Sequence, residues 1–124
     1  LERLSAQWDF AIFTGRLRME AEITLNRFAA NLMFDPWVCA DDVVNAKPHP
    51  EGLEKIRALN PERRMLYLGD SIDDARSARA GAVPFIGISS HRNPRHAELS
   101  RLLEAEGAIA VIENLNELES VIPA

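Results

Sequence analysis

The chain alternates short apolar runs with helix-forming stretches, and no two-residue hairpin turn joins any pair of those runs. Phe10-Ala11-Ile12-Phe13, Trp37-Val38-Cys39-Ala40, Met65-Leu66-Tyr67-Leu68, Val83 to Ile88 and Ala108 to Ile112 each read as a strand. Continuous apolar runs, as opposed to alternating ones, suit strands buried on both faces. Helical spacing fills the intervals. Met19, Ile23, Phe28, Leu32 and Met33 recur within Arg18 to Met33, and Leu53, Ile56 and Leu59 form a stripe after Pro50. Asp73 to Ala80, Pro94 to Glu106 and Leu115 to Val121 supply three more helices. This rhythm predicts an α/β fold, with a parallel sheet covered by helices on both faces.

Punctuation supports the same reading. Asp35-Pro36 and Asn60-Pro61 each break a helical pattern, and Gly81 is a natural helix stop. Pro50 fits a first helical position, where its missing N–H costs nothing. Leu1 to Gln7 reads as the last turns of a helix already under way, and the chain does not open on Met, so a fragment or processed chain is expected.

Composition excludes several function classes. At 124 residues the chain suits one domain able to bury a core. Its net charge of −5, with basic residues scattered among acidic ones, speaks against a nucleic-acid partner. No apolar stretch approaches the roughly 18 residues of a membrane span, and no signal peptide is visible. The single Cys39 cannot form an internal disulfide; it reads as a small buried hydrophobe in a reducing cytoplasm.

Ligands of an open parallel sheet bind beyond the carboxyl ends of its strands. Three such ends carry useful chemistry: Thr14-Gly15, the loop at Lys47, and Asp70 with Asp73 and Asp74 close behind. A hydroxyl, a lysine and the backbone N–H groups around Gly15 suit phosphate oxygens. Carboxylates suit Mg²⁺, a hard ion that prefers oxygen ligands. Together these are the equipment of phosphoryl transfer, where positioning and charge neutralisation supply most of the rate. Taken singly, each has a plainer reading. Thr14 is a turn residue, Lys47 a solvated charge, and Asp73 or Asp74 an N-cap or first-turn acid. The plain reading covers one or two acids but does not explain Asp70 at the strand end behind Gly69. Pro48 holds Lys47 extended, off the following helix.

The ordered segments FAIFTGR, AKPHPEGLEKI and YLGDSIDDARSARAGA resemble motifs two, three and four of the haloacid dehalogenase-like hydrolases, most nearly the phosphoglycolate-phosphatase-type branch, subfamily IA. The resemblance implies a Rossmann-like three-layer core and a Mg²⁺-dependent phosphatase that works through an aspartyl-phosphate. It implies that Thr14 and the Gly15 N–H hold the transferring phosphoryl group, and that Lys47 steadies both that group and the nucleophile. Asp70 is then the Mg²⁺ ligand, and Asp74 the second acid, acting directly or through a metal-bound water. Asp73 falls between the matched positions and reads as a helix-start charge; the role of Arg16 stays open.

The first motif of that family, D-x-D-G-T-like, supplies the nucleophile and an acid–base aspartate. Asp9, Asp35 and Asp41 are followed by Phe-Ala, Pro-Trp and Asp-Val, so none opens that motif. Residues 1–124 are therefore expected to be the C-terminal portion of the core, without the central strand and the cap, and inactive alone. Self-association, or pairing with a missing N-terminal segment, is expected to follow. The substrate would be a small phosphorylated metabolite: phosphoglycolate, a sugar phosphate, a nucleotide and a histidine-pathway ester all stay open. A non-catalytic binding module and a dehalogenase of the same superfamily are the alternatives; a receiver-type domain is disfavoured by the order of the motifs. His49 reads as a loop residue. His91 and His96, five apart around Pro94, make no same-face helical pair, and no metal or catalytic role is assigned to them. Trp8 and Trp37 read as packing residues.

Overall fold

Every strand pairing among the described residues is parallel, as the alternation of runs predicts. The computed structural model describes residues 8–28 and 33–122, and the chain divides between Arg63 and Arg64 into two compact units. The helix expected over Leu1 to Gln7 lies outside the described residues, as does Leu32.

In the first unit, β1 (Phe10–Phe13) pairs with β2 (Phe34–Val38), and α1 (Arg18–Phe28) connects them. A 3-10 turn, Ala40–Asp42, and α2 (Glu51–Leu59) follow. The second strand begins earlier than its sequence suggests and runs through Asp35-Pro36, which the helical pattern had marked only as a break. Pro36 brings no N–H to the ladder, and the pairing register shifts between Phe10 and Ile12, opposite this segment. Leu53 and Cys39 are buried, the latter as the small hydrophobe expected. Burial also pushes the Cys39 thiol upward in pKa, against the pull of Arg18.

The expected apolar stripe of α1 is not its buried face. Met19 and Ile23 are exposed and Ala21 is buried instead. Polar bonds anchor this helix by its first turn. The Arg18 backbone N–H donates to Asp41 Oδ1 at 3.2 Å, and its guanidinium donates to Asp42 Oδ2 at 2.6 Å and to the Trp37 carbonyl at 3.0 Å.

In the second unit β3 (Tyr67–Gly69), β4 (Phe85–Ile88) and β5 (Ala110–Ile112) form a sheet in that order. Between them run α3 (Ile72–Ala80) and α4 (His96–Ala105), and the C-terminal stretch is a 3-10 turn, Leu115–Glu117, leading into α5 (Leu118–Val121). Ile86 and Leu103 are fully buried, each contributing about 2 kcal/mol of apolar burial. The helix α3 packs on β3 and β4 through small residues, Ala75, Ser77 and Ala78, which let it lie close to the sheet.

The end of α3 differs from expectation in one instructive detail. Gly81 is the C-cap, but its φ is −89°, and the left-handed position is taken by Ala82 at φ 55°. The Ala82 N–H donates to the Arg79 carbonyl and the Val83 N–H to the Ala78 carbonyl at 2.8 Å, the paired bonds of a Schellman end. An alanine there carries a Cβ penalty that glycine lacks. Ala82→Gly is therefore expected to stabilise the fold by about 0.5–1 kcal/mol, read as a rise of about 3–5 °C in thermal melting.

Candidate active site

Thr14 and Gly15 follow directly on β1. The Thr14 N–H donates to the Val38 carbonyl at 3.0 Å, which pins the turn to the end of β2. Thr14 Oγ1 accepts the Arg16 N–H at 3.1 Å, so its hydroxyl proton stays available to a ligand. Gly15 is exposed, and a Cβ built on it would meet nothing within 4 Å, so its backbone is open to approach. Arg16, whose role was open, is exposed, and its carbonyl accepts the Ala40 N–H at 2.9 Å.

Lys47 returns to the same strand end from 34 residues away. Its Nζ donates to the Phe13 carbonyl at 3.4 Å and lies 4.6 Å from the centroid of the Phe13 ring. Thr14, Gly15 and Lys47 are thus brought together around the carboxyl end of β1. The ring of Phe13 is seated by Gly52, where any Cβ would fall inside it. The loop carrying Lys47 is held by Glu51, whose carboxylate accepts the N–H groups of Val44 at 2.9 Å and Asn45 at 3.0 Å. Those two backbone bonds, the Val44 one foremost, hold the Glu51 carboxyl below the usual range. His49 is a loop residue, as expected, and it also caps α2. Its Nδ1 accepts the Glu51 N–H at 3.0 Å, a bond that Pro50 cannot supply.

In the second unit, Asp70 and Asp74 occupy contrasting environments. Asp70 is exposed at the carboxyl end of β3, and among the described residues its carboxylate has no hydrogen-bond or ion-pair partner. Asp74 is buried, 6% exposed, and its carboxylate is heavily engaged. Oδ1 accepts the Tyr67 hydroxyl at 2.8 Å, while Oδ2 accepts the N–H groups of Asp70 at 3.2 Å and Ser71 at 3.3 Å. Ser71 Oγ in turn accepts the Asp74 N–H at 3.1 Å, completing a capping box at the start of α3. Gly69 makes room for this carboxylate, since a Cβ there would lie 2.5–2.7 Å from three Asp74 atoms. Asp73 is an exposed first-turn acid of α3, as the sequence reading has it.

Three contributors escaped the sequence reading: Phe13 beneath Lys47, Glu51 bracing its loop, and Tyr67 on Asp74. Burial first, and then the charge and hydrogen bond of Asp74, push the Tyr67 hydroxyl far above its ordinary pKa, so it remains a donor. Only Glu51 left a trace in the sequence, as an acid next to a helix-opening proline. Cys39, Asp41 and Asp42 also bring ligand atoms within 4.8 Å of one another. Asp42 is committed to the Arg18 guanidinium and the Cys39 N–H, and the thiol is buried, so the group is no ligand set.

A parallel α/β protein with hydroxyl, glycine and lysine at one strand end, and acids at another, is the class these residues define. The chain belongs to the haloacid dehalogenase-like hydrolase family, whose sequence profile matches residues 1–88. It is 33% identical over 88 residues to a phosphoglycolate phosphatase of Salmonella typhi, a match that takes in 68% of this chain and 32% of that protein. The chain thus spans about a third of the length of the curated relatives it matches. A putative beta-phosphoglucomutase from Thermotoga maritima superposes with a TM-score of 0.80 at 25% identity, over 98% of this chain and 57% of that one. A subfamily IA hydrolase from Geobacter sulfurreducens superposes with a TM-score of 0.75 at 26% identity, over 98% of this chain and 52% of that one. The α/β fold class and the subfamily IA resemblance are both borne out. No described helix is long and apolar enough to cross a membrane.

Proposed function

We propose that this chain supplies the phosphate-positioning and metal-holding residues of a Mg²⁺-dependent phosphate monoester hydrolase that works through an aspartyl-phosphate. The observation that carries this reading is Lys47, brought back across 34 residues to the strand end that bears Thr14 and Gly15. The Thr14 hydroxyl and the Gly15 N–H donate to the phosphoryl oxygens, and the Lys47 ammonium neutralises their charge. Arg16 and Val38 keep Thr14 oriented, and Glu51 keeps the lysine loop in register.

The donor set fits Mg²⁺. Asp70 offers an exposed carboxylate, and Asp74, whose oxygens already accept three hydrogen bonds, holds the Asp70 and Ser71 backbone and serves through a bound water. Bound there, the ion would supply charge neutralisation on the phosphoryl group. No aspartate of residues 1–124 opens a D-x-D motif, so the nucleophile comes from outside this sequence. The substrate is a small phosphorylated metabolite; the relatives named phosphoglycolate phosphatase favour a short phosphorylated acid.

The test compares residues 1–124 with the product of the full open reading frame, each assayed on para-nitrophenyl phosphate with and without Mg²⁺. The longer protein is expected to turn over only with Mg²⁺, and the 124-residue chain not at all. Metal-independent turnover, or Asp70-dependent turnover by the short chain, overturns the reading.

A further inference from the structure

Arg16 stands directly behind Thr14 and Gly15, and its side chain takes no part in the phosphate contacts derived above. Its backbone is held on both sides. The N–H donates to Thr14 Oγ1 at 3.1 Å, and the carbonyl accepts the Ala40 N–H at 2.9 Å. These bonds fix the root of the side chain two residues from the Thr14 hydroxyl, with the two Cα atoms within about 7 Å of each other.

The guanidinium itself is exposed and weakly held. Among the described residues its one side-chain contact runs from Nη1 to Thr24 Oγ1 at 3.5 Å, long for a hydrogen bond. Thr24 already gives its hydroxyl proton to the Glu20 carbonyl at 3.1 Å, so it accepts from Arg16 but offers no charge.

The acids of this segment are engaged elsewhere. Asp42 Oδ2 accepts the Arg18 guanidinium at 2.6 Å. Asp41 Oδ1 accepts the Arg18 N–H at 3.2 Å, and Glu20 Oε1 accepts the Leu17 N–H at 3.3 Å. The start of α1 is thus capped by the chain's own carboxylates. Lys47 is bonded to the Phe13 carbonyl and faces the phosphoryl position. Among the described residues, Arg16 is therefore a full positive charge at this strand end with no carboxylate opposite it.

A guanidinium presents parallel N–H donors in one plane, the shape that matches a carboxylate. We propose that Arg16 is a specificity-determining residue, pairing with the carboxylate of a short phosphorylated acid whose phosphoryl group lies on Thr14, Gly15 and Lys47. The inference rests on the phosphatase reading above and gives that site a second anchor. Lysine and arginine then meet the two anionic ends of one substrate. Binding exchanges the long Thr24 contact for a charge-assisted pair, while the Thr24 hydroxyl keeps its bond to Glu20. A neutral phosphate ester of the same length leaves the guanidinium unpaired. Because Arg16 is exposed, solvent screens the pair, and its effect is expected in tens, not thousands, and to shrink as salt is raised.

The test uses the product of the full open reading frame with Mg²⁺ and two substrates of one skeleton, phosphoglycolate and hydroxyethyl phosphate, which carry a carboxylate and an alcohol respectively. The unsubstituted protein is expected to favour the acid in kcat/KM. Arg16→Ala is expected to lower that preference about 30-fold, mainly through the KM of the acid. Arg16→Lys keeps the charge without the fork and is expected to recover about fivefold. An arginine that only supported the turn would slow both substrates alike, so a preference unchanged within about twofold in Arg16→Ala overturns the proposal. Calorimetry with two probes that are not phosphate esters, phosphonoacetate and methylphosphonate, reads the same preference without turnover. Arg16→Ala is expected to weaken phosphonoacetate about 30-fold relative to methylphosphonate. Equal loss for both probes, or no binding of phosphonoacetate, overturns the inference. Absence of turnover with this binding preference intact overturns the phosphatase reading alone.

Discussion

On the proposed phosphatase reading, replacing Lys47 with methionine is expected to lower phosphate monoester turnover of the full open-reading-frame product by about three orders of magnitude, about 4 kcal/mol of transition-state stabilisation. The expectation rests on where the ammonium sits. Held over the Phe13 ring and bonded to the Phe13 carbonyl, its charge is fixed beside Thr14 and Gly15 before any ligand arrives. A pre-placed charge needs no reorganisation as negative charge builds on the phosphoryl oxygens, so its removal falls mainly on kcat. Asp70→Asn is expected to lose a similar factor, in this case with a raised requirement for Mg²⁺, because the exposed carboxylate is the weaker-held half of its acid pair. Steady-state kinetics across a Mg²⁺ series separate the two. Melting temperatures should stay within a few degrees, since neither side chain is buried. Turnover within tenfold of the unsubstituted enzyme for both variants would favour a binding module over a phosphatase.

Much of this architecture was legible because short apolar runs and interrupting prolines report local structure directly. β1, α2 and α3 fall close to where periodicity puts them, and Thr14 and Asp70 stand at strand ends as read. What sequence hid is contact between distant residues and competition at element ends. The strand lies at Phe34–Val38, ahead of the apolar run Trp37 to Ala40 that marks it in the sequence, because its pairing to β1 tolerates the missing donor of Pro36 where Asp-Pro normally signals a break. The stripe of α1 misled because Arg18 anchors that helix by polar bonds, leaving Met19 and Ile23 exposed. Tyr67 gave no signal at all, since an apolar-looking strand residue reveals nothing of what its hydroxyl touches seven residues on.

That hydroxyl leads to the largest stability effect expected in the chain. Asp74→Ala removes the acceptor for Tyr67, Asp70 N–H and Ser71 N–H together, and opens the capping box of α3. Three charge-assisted bonds in a buried setting make the cost about 3–5 kcal/mol, measurable by urea unfolding. Tyr67→Phe removes one of the three and should cost about 1 kcal/mol. The same pair sets a pH dependence whose sign is fixed by direction alone. The folded-state pKa of Tyr67 lies above its unfolded value near 10, so both states keep the proton at neutral pH and the contribution is fully present there. Above about pH 10 the unfolded chain releases the proton and the folded chain retains it, so stability falls by up to about 1.4 kcal/mol per pH unit. Lysine and cysteine groups titrate in the same range, and the difference between the unsubstituted chain and Tyr67→Phe isolates the phenol. Tyr67 is the only tyrosine of the chain, so tyrosinate absorbance near 295 nm reports it alone. In folded protein that band should stay absent above pH 10 and appear only as the chain unfolds; tyrosinate forming at pH 10 in a still-folded chain would show that Tyr67 does not donate to Asp74.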